Sequence, residues 1–176
     1  ADMLELKAIE ADVYIPFIVG HFEKRDRSIL PDDAARVYRL FKGHTFYIQK
    51  TFNEAFADTP EGEVCTPEII ESAIDNMIAS NDTIFREILS NIPEKQKTLL
   101  YAIAREGEAE RITSTGFIKR HNLISASSVQ SAANKLLDKD IITEINKVYC
   151  VTDKLFAMWI NTLYGAKDFW RMTSRP

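Results

Sequence analysis

Ile112-Thr113-Ser114-Thr115-Gly116-Phe117-Ile118-Lys119-Arg120-His121-Asn122-Leu123-Ile124 leads into Ser125-Ala126-Ser127-Ser128-Val129-Gln130-Ser131-Ala132-Ala133-Asn134-Lys135-Leu136-Leu137-Asp138-Lys139-Asp140, and that into Ile141-Ile142-Thr143-Glu144-Ile145-Asn146-Lys147-Val148-Tyr149-Cys150-Val151. In the first block Thr113, Ser114 and Thr115 are good N-cap residues ahead of the apolar pair Phe117 and Ile118, which predicts a short helix. Leu123-Ile124-Ser125 closes it and opens the next. Ser127 and Gln130 fit a capping box of the S-x-x-Q type, and Ser125 competes as the cap. In the second helix Val129, Ala132 or Ala133, Leu136 and Leu137 recur at helical spacing and predict the buried face. Ile141, Ile142, Ile145, Val148 and Val151 then predict two short strands around an Asn146-Lys147 turn.

Outward from this stretch, Pro93 starts a helix holding Gln96, Leu99, Leu100, Ala102, Ile103 and Ala104, and Gly107 ends it. Downstream, Asp153 caps a final helix with Leu155, Phe156, Trp159, Ile160 and Leu163. The order from 93 to 164 is that of a winged helix-turn-helix with a small β-hairpin as its wing. Residues 165–176 read as a tail that frays from Ala166, with Phe169 and Trp170 apolar enough to dock on something.

Residues 1–92 read as helices throughout. Val13, Phe17, Ile18 and Phe22 form one helical face, and Pro16 is tolerable near the first turn. After the charged connection from Arg25 to Ser28, Pro31 and the acidic pair Asp32 and Asp33 start a second helix with Ala34, Val37, Tyr38 and Phe41, which Gly43 stops. A third helix holds Phe46, Tyr47, Ile48, Phe52 and Phe56, and so aromatic a helix should dominate the local core. Thr66-Pro67-Glu68 starts a fourth. Its apolar pattern continues to about Asn91; Ser80-Asn81-Asp82 leaves a break open, and the expectation is one long helix ended by Pro93. The expected fold is mainly α, a helical bundle over 1–92 followed by the winged helix over 93–164.

The chain has 176 residues, with 45% hydrophobic and 27% charged, the composition of a globular protein long enough for one large or two small domains. It contains no run of about 18 apolar residues, so no membrane partner is expected. No signal peptide is visible, and Cys65 and Cys150 form no metal or redox motif, which points to a reducing cytoplasm. The chain begins with Ala1 and a helical pattern starts almost at once, so it is read as an excerpt of something longer. The net charge of −4 is uneven: residues 1–92 carry nine Lys and Arg against seventeen Asp and Glu, residues 93–164 ten against eight. Only the C-terminal half suits a place near phosphates.

His21, His44 and His121 are not spaced for joint metal binding, and no cysteine pairs with them, so no metal site is expected. Glu106, Glu108 and Glu110 read as a solvated acidic loop. The serines around Ser125 are explained by capping, and no catalytic residue is assigned. Double-stranded DNA is the sharper expectation. Ser127, Gln130, Ser131, Asn134 and Lys135 face outward on the second helix, where Gln, Asn and Ser can hydrogen-bond base edges, while Lys119, Arg120, Lys139 and Lys147 are placed to meet phosphates. No arginine stands on the outer face of that helix, so the commonest base-specific contact is missing. A winged helix used only for protein–protein contact, or a stand-alone transcription regulator whose acidic half dimerises or senses a ligand, are the alternatives.

Gly43-His44-Thr45-Phe46-Tyr47-Ile48-Gln49, Gln96 through Gly107, Ser125 through Ala132, Leu136 through Ile142, and Phe156 with Trp159 together resemble the C-terminal half of archaeal-type AAA-plus ATPases, the signal-transduction ATPases with numerous domains. The resemblance covers nearly the whole chain. In that family a P-loop domain is followed by a small helical lid and a winged helix. No G-x-x-x-x-G-K-[ST] occurs here, so the resemblance implies the lid and winged helix alone, with no cofactor of their own. ATP and an N-terminal ATPase domain are implied only for the missing part of the parent protein. The family's Gly-x-Pro motif, which approaches the adenine, corresponds to Gly43-His44-Thr45, with Thr45 in place of the proline.

Overall fold

Proline and short polar side chains set the helix starts. Pro31 and Pro67 stand first in their helices, and Pro93 stands just ahead of another; a fixed φ and a missing N–H cost nothing there. The computed structural model describes residues 9–163. These fall into two compact bodies that divide between Met77 and Ile78.

The first body contains α1 (Ala11–Glu23), β1 (Ser28–Ile29), α2 (Pro31–Leu40), α3 (Thr45–Asp58), β2 (Val64–Cys65) and most of α4 (Pro67–Ser80). Its core includes Tyr14, Ile18, Phe22, Val37, Phe41, Ile48, Phe52, Ile70, Ile74 and Met77. Phe22 meets Phe52 and Phe56 edge-on, with centroids 6.4 and 5.1 Å away. Of the apolar face expected on α1, Ile18 and Phe22 are buried but Val13 and Phe17 are not. Val13 and Phe17 are 62% and 64% exposed, while Tyr14 turns inward with Ile18 and Phe22. Two neighbouring stripes of this helix are apolar, and spacing cannot choose between them. Phe46 likewise lies outside at 61% exposure, and Thr51 and Ala55 share the buried face of α3 with Ile48 and Phe52.

The expectation of helices throughout this region misses a parallel pair in which Ser28 faces Val64 and Ile29 faces Cys65. Ile29 and Cys65 are buried, and Ser28 donates its N–H to the Glu63 carbonyl at 3.0 Å. Two-residue strands have no periodicity to detect.

The second body contains α5 (Asp82–Ser90), α6 (Glu94–Glu106), β3 (Ala109–Glu110), α7 (Thr115–Arg120), α8 (Ala126–Leu137), β4 (Ile142–Ile145), β5 (Val148–Val151) and α9 (Lys154–Leu163). The single long helix expected up to Asn91 is broken: α4 ends at Ser80 and α5 begins at Asp82, with Asn81 between them at φ −102°, ψ 3°. The reason lies in what Asp82 does. Its carboxylate accepts the Trp159 indole N–H at 2.9 Å and Arg86 Nε at 2.7 Å, and Phe85 packs on Phe156 and Trp159 at 5.2 and 5.7 Å. The Asn-Asp step, whose side chains compete with helical hydrogen bonds, is where α5 starts in the direction that packs on α9.

Helix α6 is central to this body and packs against α8, α9 and β5. It ends at Gly107, whose φ of 73° favours glycine. Asn161 of α9, buried, donates from Nδ2 to the Ala104 carbonyl at 2.9 Å. The hairpin pairs Ile142 with Val151 and Ile145 with Val148. Asn146 and Lys147 both take positive φ, 52° and 65°, the conformation a two-residue hairpin loop requires. β5 is the central strand, because β3 pairs with its other edge, Ala109 opposite Tyr149. The acidic run is solvated only in part: Glu108 and Glu110 are exposed, Glu110 within β3, whereas Glu106 ends α6 and its Oε1 accepts from Arg120 Nε at 2.8 Å and Nη2 at 2.7 Å, with His121 Nε2 2.6 Å away. Residues 164–176, including Phe169, Trp170 and the expected tail, lie outside the described residues.

Two predictions follow from this packing. Trp159→Ala empties a buried aromatic site and removes one of the two donors to Asp82, so the urea unfolding free energy of the second body should fall by roughly 3–5 kcal/mol. Burial raises the Glu106 carboxyl, but the hydrogen bonds from His121 and Arg120 outweigh it and hold the group below its ordinary 4.5. A depressed carboxyl stabilises the fold above its unfolded pKa and loses that contribution as pH falls through the folded value. Unfolding midpoints measured from pH 6 downward should therefore drop below about pH 4.5 in the wild type, and Glu106→Gln should lack that component while being less stable at neutral pH.

Candidate nucleic-acid interface

The orientation of α8 decides which side chains can reach a ligand. Ser125 is extended, φ −164° and ψ 162°, and its Oγ accepts the Ser128 N–H at 3.2 Å. Ser125, not Ser127, is therefore the cap, and the helix begins at Ala126. From that start Val129, Ala132, Ala133 and Leu136 point inward and are buried. Ser127, Gln130, Ser131, Asn134 and Lys135, the five expected to face outward, are all exposed on the opposite side. Gln130 Nε2 donates to Asn134 Oδ1 at 3.0 Å, one helical turn on. Such an exposed amide pair can exchange its internal bond for base edges with little loss. Ser114 caps α7 in the same way, accepting the Phe117 N–H at 3.2 Å, and Asp153 caps α9 through the N–H groups of Leu155 and Phe156.

The cations expected to meet phosphates are not equivalent. Lys119 lies in the last turn of α7, Lys139 follows α8 between the exposed acids Asp138 and Asp140, and Lys147 sits at the wing tip; all three are exposed. Arg120 is exposed too but is engaged by Glu106 through two nitrogens. Its guanidinium also lies 5.8 Å from the Phe117 ring centroid. A phosphate reaching Arg120 has to compete with that carboxylate.

One cation of this surface was not singled out in the sequence. Arg111, exposed and at φ 48°, lines a groove on the wing side of α8 together with Gln130, Lys147 and Glu144. A simple signal marks it. From Arg111 to Leu137 the chain contains no Asp or Glu, while it carries Arg111, Lys119, Arg120 and Lys135. In a chain with 26 acidic residues and a net charge of −4, the helix-turn-helix is a 27-residue stretch without one carboxylate side chain.

Grooves open on both sides of α8. The wing-side groove, about 450 Å³, is lined by Glu110, Arg111, Gln130, Glu144, Lys147 and Tyr149 among others. Burial and the neighbouring Glu144 carboxylate both push the Tyr149 phenol above its ordinary pKa. The groove on the α6 side, about 630 Å³, is lined by Glu94, Lys95, Ser127, Ser131 and Lys135 among others.

In the first body, Gly43, His44 and Thr45 form the α2–α3 turn. Gly43 is buried at φ 75° and donates its N–H to the Tyr38 carbonyl at 3.0 Å. His44 is exposed, with its ring 4.8 Å from that of Tyr47, and Thr45 is the first residue of α3. Backbone geometry accounts for the glycine: a residue with a Cβ is strained at that φ.

Among the described residues no group of three or more His, Cys, Asp or Glu is arranged to hold a metal ion, and no helix is long and apolar enough to cross a membrane. Comparison with the curated proteins and with the solved structures returns no match. A family model described as "probable winged helix domain" matches residues 83–162. That span takes in α5 from its second residue, leaving Asp82, the acceptor of the Trp159 indole N–H, just outside it, and it ends within α9. Over those residues the chain has the fold of a winged helix domain.

Proposed function

We propose that this winged helix binds duplex DNA through the outer face of α8, with the chain as a whole acting as the C-terminal regulatory part of a nucleotide-switch ATPase. The observation that carries the DNA reading is the carboxylate-free stretch from Arg111 to Leu137, whose exposed polar side chains are hydroxyls, amides and cations. An acidic chain repels DNA over most of its surface. A docking helix without acids, presenting Ser127, Gln130, Ser131, Asn134 and Lys135, is where that repulsion is lifted. Lys119 and Lys135 supply phosphate contacts, and the amides and hydroxyls meet base edges. With no arginine on that face, affinity comes mostly from the backbone, and sequence preference is modest.

The ATPase part rests on the resemblance given above. In it the first body is a lid that closes over nucleotide held by a P-loop domain, with Gly43, His44 and Thr45 nearest the nucleotide, and passes that state to the winged helix. The encoding gene decides this part: an in-frame G-x-x-x-x-G-K-[ST] upstream supports it, and a start codon at Met3 contradicts it.

Fluorescence anisotropy with a random duplex of about 25 base pairs tests the DNA reading across a range of salt. Binding should weaken steeply with salt, and Lys119→Glu with Lys135→Glu should remove most of it, because two phosphate contacts correspond to about 1.8 units of the log–log salt slope. Absence of binding even at low salt overturns the reading and leaves α8 as a protein-docking surface.

A further inference from the structure

A recognition helix lying in a major groove has one sugar–phosphate strand along each flank. The two flanks of α8 differ in charge. On the wing side the groove lining carries two carboxylates, Glu110 and Glu144, against two cations, Arg111 and Lys147. On the α6 side it carries two cations, Lys95 and Lys135, with the hydroxyls of Ser127 and Ser131 between them. Its one carboxylate, Glu94, is engaged by Lys97 Nζ at 2.8 Å. Lys95 is exposed in the first turn of α6, and Lys135 is exposed near the last turn of α8. The two lysines therefore face one groove from two helices that pack on each other.

We propose that the DNA backbone is anchored in the α6-side groove, between Lys95 and Lys135, and not on the wing. This rests on the DNA-binding reading above and goes beyond it by assigning the dominant phosphate contact to a residue outside the helix-turn-helix stretch. A phosphate on the α6 side meets two cations and two hydroxyl donors. A phosphate on the wing side gains Arg111 and Lys147 but approaches Glu110 and Glu144, and like charges across a solvated groove cancel most of that gain.

The test compares Lys95→Gln, Lys147→Gln, Glu144→Gln and a control, Lys24→Gln, by salt-dependent anisotropy on the full chain with the same random duplex, each checked for folding by circular dichroism. All four positions are exposed. Lys95→Gln should lower the salt slope by about 0.9, the value for one phosphate, with a several-fold loss of affinity at moderate salt. Lys147→Gln and Lys24→Gln should change little, and Glu144→Gln should tighten binding. Lys147→Gln costing more than Lys95→Gln, or Lys24→Gln costing as much, overturns the anchor while leaving DNA binding intact. A wild type that binds no duplex overturns the DNA reading itself.

Discussion

The close packing of α6 against α8 is the constraint on which the functional surface depends. Helix α6 buries Leu99, Leu100, Ala102, Ile103 and Ala104, and α8 buries Val129, Ala132, Ala133 and Leu136. Alanines on both helices let the backbones approach, and the branched side chains fix the register. A slip of one residue along α8 would rotate its surface by about 100°. Ser125, as the cap, sets where that rotation starts. The outward set of Ser127, Gln130, Ser131, Asn134 and Lys135 is thus a consequence of what the core accepts.

The same logic holds the rest of the winged helix in place. Asp82 receives both the Trp159 indole and Arg86, fixing α5 on α9, and Asn161 ties α9 to the end of α6. Glu106 ties the end of α6 to the end of α7. That last contact has a functional cost, because the carboxylate that orders α7 also occupies Arg120. Lys119, one residue earlier, is left as the cation of α7 that can act at a distance.

Much of this fold was legible in the sequence because the signals were local. The stops at Gly43 and Gly107, the starts at Pro31, Pro67 and Pro93, the Asp153 cap and the Asn146-Lys147 turn each follow from one or two residues and their allowed dihedrals. What was not legible depends on distant partners. The pairings of Ser28 with Val64 and of Ala109 with Tyr149 involve strands of two residues. Asn81 breaks a continuous apolar pattern because Asp82 is needed by Trp159, 77 positions away in the chain. The face of α1 was misread because two adjacent stripes are apolar, and only packing selects Tyr14 over Phe17. For the interface, helical spacing identified the five outward residues of α8. The commitment of Arg120 to Glu106, the place of Arg111 and the unequal charge of the two flanks all required the three-dimensional arrangement.

The most direct test of the central claim, that the outer face of α8 is the DNA-contacting surface, is amide chemical-shift mapping of the isotope-labelled chain titrated with duplex at low salt. The largest shifts are expected at Ser127, Gln130, Ser131, Asn134 and Lys135 and in the first turn of α6, with residues 9–77 unmoved. Shifts concentrated in residues 9–77, or shifts absent from α8 while the duplex is bound, would contradict it.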